Sequence, residues 1–265
     1  MNNILKKEAR FHDEWAQSEN AETIDVVAHF EACIAAENRW FLKQLEKQDY
    51  QTVLDLGCGL GEAAVYFAKM GKDVIATDLS QGMLENAQKC AKKHHVKIKT
   101  IQSSSDRIHC QDNSIDVVYA ANVLHHVDIE KTMSEIFRVL KTGGLFLSWD
   151  PLKYNPVINI YRRMANEVRT EDEAPLGRKE IKQIRGYFSE SKIKTTWLAT
   201  LFIFVMFFVL DNIHSNQERY WKKIIKDHQK LERLYRPLLK LDGVLLACFP
   251  FLKYWCWNIC IFAKK

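Results

Sequence analysis

The sequence has no stretch of about 20 uncharged apolar residues, the length a helix needs to cross a bilayer. Its most apolar stretch, residues 197–210, is 14 residues long. Charge of one sign is also missing: 38 Lys and Arg face 33 Asp and Glu, a net +5. That is too weak for a nucleic-acid surface, which needs a dense basic patch or stripe. The seven cysteines contain no C-x-x-C pair, so their spacing predicts neither a zinc site nor a disulfide framework. Cys256 and Cys260, if both on one strand, would stand too far apart to bridge. Reduced thiols in a cytoplasmic protein are expected. The first residues, MNNILKKEARFHDEW, hold no apolar core of a secretory leader. Proline (5) and glycine (10) are too few for collagen or a low-complexity chain.

What is present is ordinary for a globular α/β chain of 265 residues, with 47% hydrophobic and 27% charged residues. Residues 1–48 have helical spacing. Between 50 and 150, short β-rich runs alternate with amphipathic stretches, which predicts βα units and a parallel sheet. Strands are expected at 52–56, 73–77, 97–102, 115–120 and 144–148, with helices near 62–69, 83–94 and 131–140. Gly71, Gly143 and Gly144 stand where helix C-caps are expected. Two more strands are expected at 192–197 and 255–262. The intervening 199–253 begin apolar, turn charged and basic, and end apolar. A helix over 197–210 would be about 21 Å long.

The chemical signal lies at Asp55-Leu56-Gly57-Cys58-Gly59-Leu60-Gly61-Glu62. Here a strand runs through a glycine turn into a helix whose first N–H groups are free. A dinucleotide loop reads G-x-G-x-x-G, but the third position here is Glu62. A carboxylate there suits a cationic ligand better than a pyrophosphate, which disfavours a nicotinamide dehydrogenase. Asp78 ends the next strand. The sequence then reads Asn122-Val123-Leu124-His125-His126 and Arg138-Val139-Leu140-Lys141-Thr142-Gly143-Gly144.

These four motifs, in this order, resemble the class I S-adenosylmethionine-dependent methyltransferases, closest to the branch acting on small, quinone- or lipid-like molecules. The resemblance is good over about 50–150 and loose over 1–49 and 151–198. It implies a Rossmann-like class I methyltransferase fold: a mostly parallel seven-stranded sheet with helices on both faces. An N-terminal helical lid (1–48), a cofactor-binding core (49–198), a helical insertion (199–253) and a last strand (254–265) follow from it. The cofactor implied is S-adenosyl-L-methionine. Asp55, Gly57, Cys58, Gly59 and Gly61 would form its loop, with the Cys58 thiol incidental. Asp78 would accept the ribose hydroxyls and Leu79 would pack on adenine, with Met83 beside it. Where the family has Gly-Asp-Ala-Glu, this chain has Ser103-Ser104-Ser105-Asp106. The adenine amino group would therefore fall to the Ser104 hydroxyl, a backbone carbonyl or Asp106, with the Ser105 backbone N–H available to a ring nitrogen. Asn122 would line the site. No metal is implied.

Methyl transfer needs a general base only for an acceptor that holds its proton tightly. His125 and His126 are the candidates, with Asp150 to orient a histidine or a substrate hydroxyl. Residues 161–163 and the polar stretch 169–176 are further candidates for substrate contact. The insertion suits three roles: a cap over an apolar pocket, contact with a membrane interface, or a homodimer face. A macromolecular acceptor is the alternative, but an Asn/Asp-Pro-Pro-aromatic motif is missing. A third reading is a non-catalytic module that binds the cofactor.

Overall fold

The computed structural model describes residues 3–164, 173–213 and 219–265. Three helices come first: α1 (Asn3–Ser18), α2 (Val26–Glu31) and α3 (Ala36–Leu45). Then β1 (Thr52–Leu56), α4 (Glu62–Lys69), β2 (Asp73–Asp78), α5 (Gln81–Lys93), β3 (Lys99–Gln102), β4 (Ile115–Ala121), α6 (Ile129–Val139) and β5 (Leu140–Pro151) build the α/β core. Next come α7 (Pro156–Met164), α8 (Arg178–Gly186) and β6 (Glu190–Thr196). After them follow α9 (Phe202–Val209), α10 (Tyr220–Lys226), α11 (His228–Cys248) and β7 (Asn258–Lys264).

The seven strands lie in the order β3-β2-β1-β4-β5-β7-β6, and only β7 runs antiparallel to its neighbours. β1 is central, and its Val53, Leu54, Asp55 and Leu56 are all buried. A strand covered on both faces reads as such a continuous run. Alternate residues feed two cores. Val53, Val117, Leu145 and Leu147 face α2–α5, while Leu54, Val118 and Phe146 face α6 and α8. Ser80 caps α5 by accepting the Met83 N–H at 3.0 Å, and Asp128 caps α6 by accepting that of Lys131 at 3.2 Å.

Strand β7 settles where the insertion goes. Because β6 runs with the parallel strands, its last residue lies at the edge where β1, β2, β4 and β5 end. Thr196 pairs with Asn258, which pairs in turn with Pro151. The chain therefore leaves and re-enters the sheet at the edge where open α/β sheets bind ligands. The insertion makes a third core there. Ile203, Phe204 and Phe207 of α9, Tyr220 and Ile224 of α10, and Tyr235 of α11 pack with Trp197 and with Ile158 and Tyr161 of α7.

Three sequence expectations need correcting. The apolar run 197–210 is not one helix: a 3-10 turn over Ala199–Leu201 precedes an α9 of eight residues, about 12 Å long. Asp242 sets this start by accepting the N–H groups of Leu198, Ala199 and Thr200. The last strand begins at Asn258, because a 3-10 segment takes Pro250–Trp255, so Cys256 and Cys260 do not share a strand. Gly143, at φ +78°, lies within β5 instead of capping α6. Among the described residues, no helix is long and apolar enough to cross a membrane.

Candidate active site

Gly57, Gly59 and Gly61 all have positive φ, at +69°, +51° and +88°. A side chain at Gly57 would strike Val123, with its Cβ 2.6 Å from a Val123 methyl. One at Gly61 would come within 2.8 Å of the Ala87 backbone, so this glycine lets α4 and α5 close together. At Gly59, a Cβ would meet nothing within 4 Å. That stretch of backbone faces open space.

Two carboxylates hold the loop. Asp55 Oδ2 accepts the Ala64 N–H at 2.9 Å in the first turn of α4. Asp78 Oδ2 accepts the Gly59 N–H at 3.0 Å, and its Oδ1 accepts that of Ser80 at 2.9 Å. Each carboxylate retains free lone pairs for a ligand. Burial raises both pKa values, that of Asp55 to about 8, aided by the charges of Glu62 and Asp78. Burial also pushes the Cys58 thiol well up and keeps it neutral.

The raised Asp55 pKa sets a pH dependence. The folded state binds a proton there that the unfolded state, titrating near its ordinary value of 3.8, has released. The stabilisation is complete below about pH 4 and is lost as pH rises through about 8. Chemical denaturation at pH 5 and pH 9 should therefore show ligand-free protein losing stability on the alkaline side. Asp55→Asn should flatten that loss.

The loop opens into a cavity of about 390 Å³. Strand order fixes its layout. The ends of β1, β2 and β3 bring Asp55, the glycine loop, Asp78, Leu79 and Ser103–Ser105 to one side. The ends of β4 and β5 bring Asn122, His125, His126, Trp149 and Pro151 to the middle. The far side is aromatic, with Tyr161 of α7, Trp197 after β6, Trp221 of α10 and Trp257 before β7. Met83 also lines the cavity. Asp106 is not on the wall; its Oδ1 accepts the Ser104 hydroxyl at 2.5 Å. Ser105 Oγ lies 3.0 Å from Thr132 Oγ1. Both side chains are thus turned to protein partners.

Asn122 takes φ +57°, with its N–H bound to the Trp149 carbonyl at 2.8 Å. This left-handed residue turns the chain so that the two histidines follow on a short 3-10 turn. They face different carboxylates. His125 is buried, with Nδ1 2.9 Å from Asp150 Oδ1. Asp150 is fully buried and also accepts the Ser148 hydroxyl at 2.8 Å. Where Asp150 is ionised it can only accept, so the His125 proton then lies on Nδ1 and Nε2 is the basic nitrogen. Burial raises the Asp150 pKa to about 7. His126 Nδ1 instead stands 3.7 Å from Glu8 of α1, whose other oxygen is 3.5 Å from His12 Nε2.

The N-terminal helices cover this space, and the insertion clasps them. Asp13 of α1 accepts the Ser80 hydroxyl and the Gly82 N–H, at 2.5 and 3.1 Å. Arg219 stacks on Trp15, 3.7 Å above the ring, and Lys222 pairs with Glu19. Glu37 of α3, in the cavity wall with Asn258, accepts from Thr196 and Asn258.

Sequence reasoning did not single out Ser103, Glu8 or Asn258. Ser103 Oγ is buried on the wall without a hydrogen-bond partner among the described residues, as is Asn258 Oδ1. An orphaned hydroxyl beside Asp78, open space at Gly59 and two carboxylates fit a ligand with polar adenosine and cationic ends, such as S-adenosylmethionine. The ligand atoms of His125, His126 and Glu173 gather within 4.8 Å. The Arg162 guanidinium, 3.0 Å from Glu173, opposes a cation there. Residues 169–172 of the predicted substrate loop fall outside the described residues.

The family model described as "Methyltransferase domain" matches residues 54–148. The chain is 34% identical over 110 residues to a putative methyltransferase of Geobacillus sp. (strain WCH70), covering 40% of this chain and 44% of that one. It is 31% identical over 121 residues to the sterol 24-C-methyltransferase of Aspergillus fumigatus, covering 44% and 32%. The chain thus spans less than half the length of these relatives. A solved structure of geranyl diphosphate C-methyltransferase from Streptomyces coelicolor A3(2) has the same fold. Its TM-score is 0.65 at 14% identity, over 100% of this chain and 98% of that one. With the glycine loop, the paired acids and the seven-stranded sheet, these matches identify residues 54–148 as similar to a methyltransferase domain and give the chain the class I S-adenosylmethionine-dependent methyltransferase fold.

Proposed function

We propose that the protein transfers a methyl group from S-adenosylmethionine to a small, largely apolar acceptor. One observation carries this reading: a single cavity joins the loop of Asp55 and Asp78 to an aromatic wall supplied by α7 and the insertion. When bound, the cofactor supplies a methyl group activated by its sulfonium, which transfers by in-line displacement.

The chain supplies position and a dry site. Asp78, held by two backbone N–H groups, is a preset acceptor for a diol. The Ser103–Ser105 edge offers hydroxyl and backbone groups to a heterocycle. Asp55, which holds its proton in the ligand-free protein, would ionise against the cationic end of the bound cofactor. His125 Nε2 takes the acceptor's proton where the acceptor holds one, and Asp150 fixes the imidazole. Helix α1, clasped by Arg219 and Lys222, excludes water. The insertion is the cap: Trp197, Trp221, Ile224 and Ile225 line the acceptor end. The names of the relatives, acting on a sterol and on geranyl diphosphate, support an apolar acceptor.

The test uses cofactor carrying a labelled methyl group, a lysate of the source organism, and Asp78→Ala as control. Protein-dependent label should enter the organic phase. Label in the acid precipitate would replace the small acceptor with a macromolecule. Label in no fraction, with cofactor still bound, would favour a non-catalytic module.

A further inference from the structure

We propose that the end of the insertion, together with a basic cleft beside it, docks the protein on an anionic phospholipid surface. The cleft, of about 370 Å³, lies between α8, β6 and the 3-10 segment Pro250–Trp255, away from the active-site cavity. Arg178, Lys182, Arg185 and Lys253 line it, and among the described residues no carboxylate does. None of these four cations pairs with a carboxylate among the described residues. The Arg178 guanidinium lies 4.2 Å above the Tyr254 ring, and Arg185 Nε donates to Ser191 Oγ at 2.8 Å. These contacts orient the cations without neutralising them.

The cleft continues directly into exposed apolar surface. Phe251 and Trp255 flank Lys253 and Tyr254 in sequence, and both are more than half exposed. Val244, on the last turns of α11, is also more than half exposed, and Phe249 nearly so. Helix α11 turns Leu231, Tyr235 and Asp242 inward, which leaves Val244 on its outer side. The insertion, residues 198–257, also carries nine Lys and Arg against five Asp and Glu, most of the chain's cationic excess.

Aromatic and aliphatic side chains beside unpaired cations match a bilayer interface, where rings enter the headgroup layer and cations meet lipid phosphates. The rival occupants fit less well. A two-fold dimer sets like patch on like patch and would bring these cations against their own copies. A free anion would fill the cleft and leave Phe251, Trp255 and Val244 in water.

The full chain is floated with phosphatidylcholine vesicles with and without phosphatidylglycerol. Partitioning should be at least about tenfold stronger on the anionic vesicles and should fall as salt rises. The exposed pair Lys182→Glu, Arg185→Glu should erase that preference. Phe251→Ser with Trp255→Ser should weaken binding to the anionic vesicles, with circular dichroism unchanged in both variants. Equal partitioning onto both vesicles, or variants that float like the parent, would overturn the proposal. So would inorganic phosphate binding in the cleft without flotation, or a lipid-free dimer in sedimentation that the Phe251 and Trp255 changes dissociate. No turnover is read, so failure here leaves the methyl-transfer proposal standing.

Discussion

Replacing Asp78 by alanine is expected to weaken S-adenosylmethionine binding by about 100-fold or more, measured by titration calorimetry. Two losses combine. In its proposed role the carboxylate is a charged acceptor for the cofactor's diol, and hydrogen bonds to a charged group are worth about 1.5–3 kcal/mol each. It also holds the Gly59 and Ser80 N–H groups. Without it, these lose their acceptor at a cost of about 1–3 kcal/mol for each group left unsatisfied. The Gly59 loss is transmitted to the ligand, because that residue carries positive φ in the loop and is fixed at the tip by this bond. Asp78→Asn keeps one acceptor oxygen and should lose less. If alanine bound the cofactor like the parent, the assignment of this acid to the cofactor would be wrong.

Asp150→Asn is expected to lower turnover by about 10²- to 10⁴-fold for a proton-bearing acceptor, with little change in cofactor affinity. The amide can present its NH₂ to His125 Nδ1, which moves the imidazole proton to Nε2 and removes the basic nitrogen from the cavity. His125→Ala should cost about as much, and the double variant little more, since the two act as a unit. The pH profile separates this from a merely structural effect. With the Asp150 pKa raised to about 7, the acid loses its charge as pH falls through that value. It then donates to Nδ1, with the same consequence as the amide. Turnover should therefore have an acid limb near pH 7, and Asp150→Asn should flatten it. A parent profile without that limb would remove His125 from the role of base.

The sheet and the glycine loop were legible because local rules govern them. A strand such as Val53–Leu56, buried on both faces, shows as an apolar run interrupted only by Asp55. Gly57, Gly59 and Gly61 mark backbone that only glycine adopts easily. What was not legible depends on which distant elements meet. Glu8 and His126 are far apart in sequence, and only the packing of α1 across the site brings them within 3.7 Å. Asn258 reaches the cavity because β7 pairs with the end of β5. Neither residue carries a local signal. The sequence leaves the adenine edge open between the Ser104 hydroxyl, a backbone carbonyl and Asp106; in the fold that hydroxyl donates to Asp106, a pairing that composition does not reveal. The insertion misled for another reason. An unbroken apolar run reads as one helix, and the cap by Asp242 that restarts it comes from more than 40 residues downstream.

The place of β7 also bears on synthesis at the ribosome. Of the seven strands it is translated last, yet it lies inside the sheet, with β5 on one side and β6 on the other. Until it emerges, a nascent chain leaves unpaired the two strand edges, one on β5 and one on β6, that β7 covers in the finished sheet, and such edges are templates for aggregation. The α9–α11 cap is tethered at one end only, and the cavity wall lacks Trp257 and Asn258. The glycine loop and its acids, by contrast, are complete once β4 has paired with β1. A translation intermediate can therefore own a finished nucleotide-side half before any acceptor-side half exists. Added cofactor should then protect the first half of a stalled chain from proteolysis while the insertion remains open to cleavage.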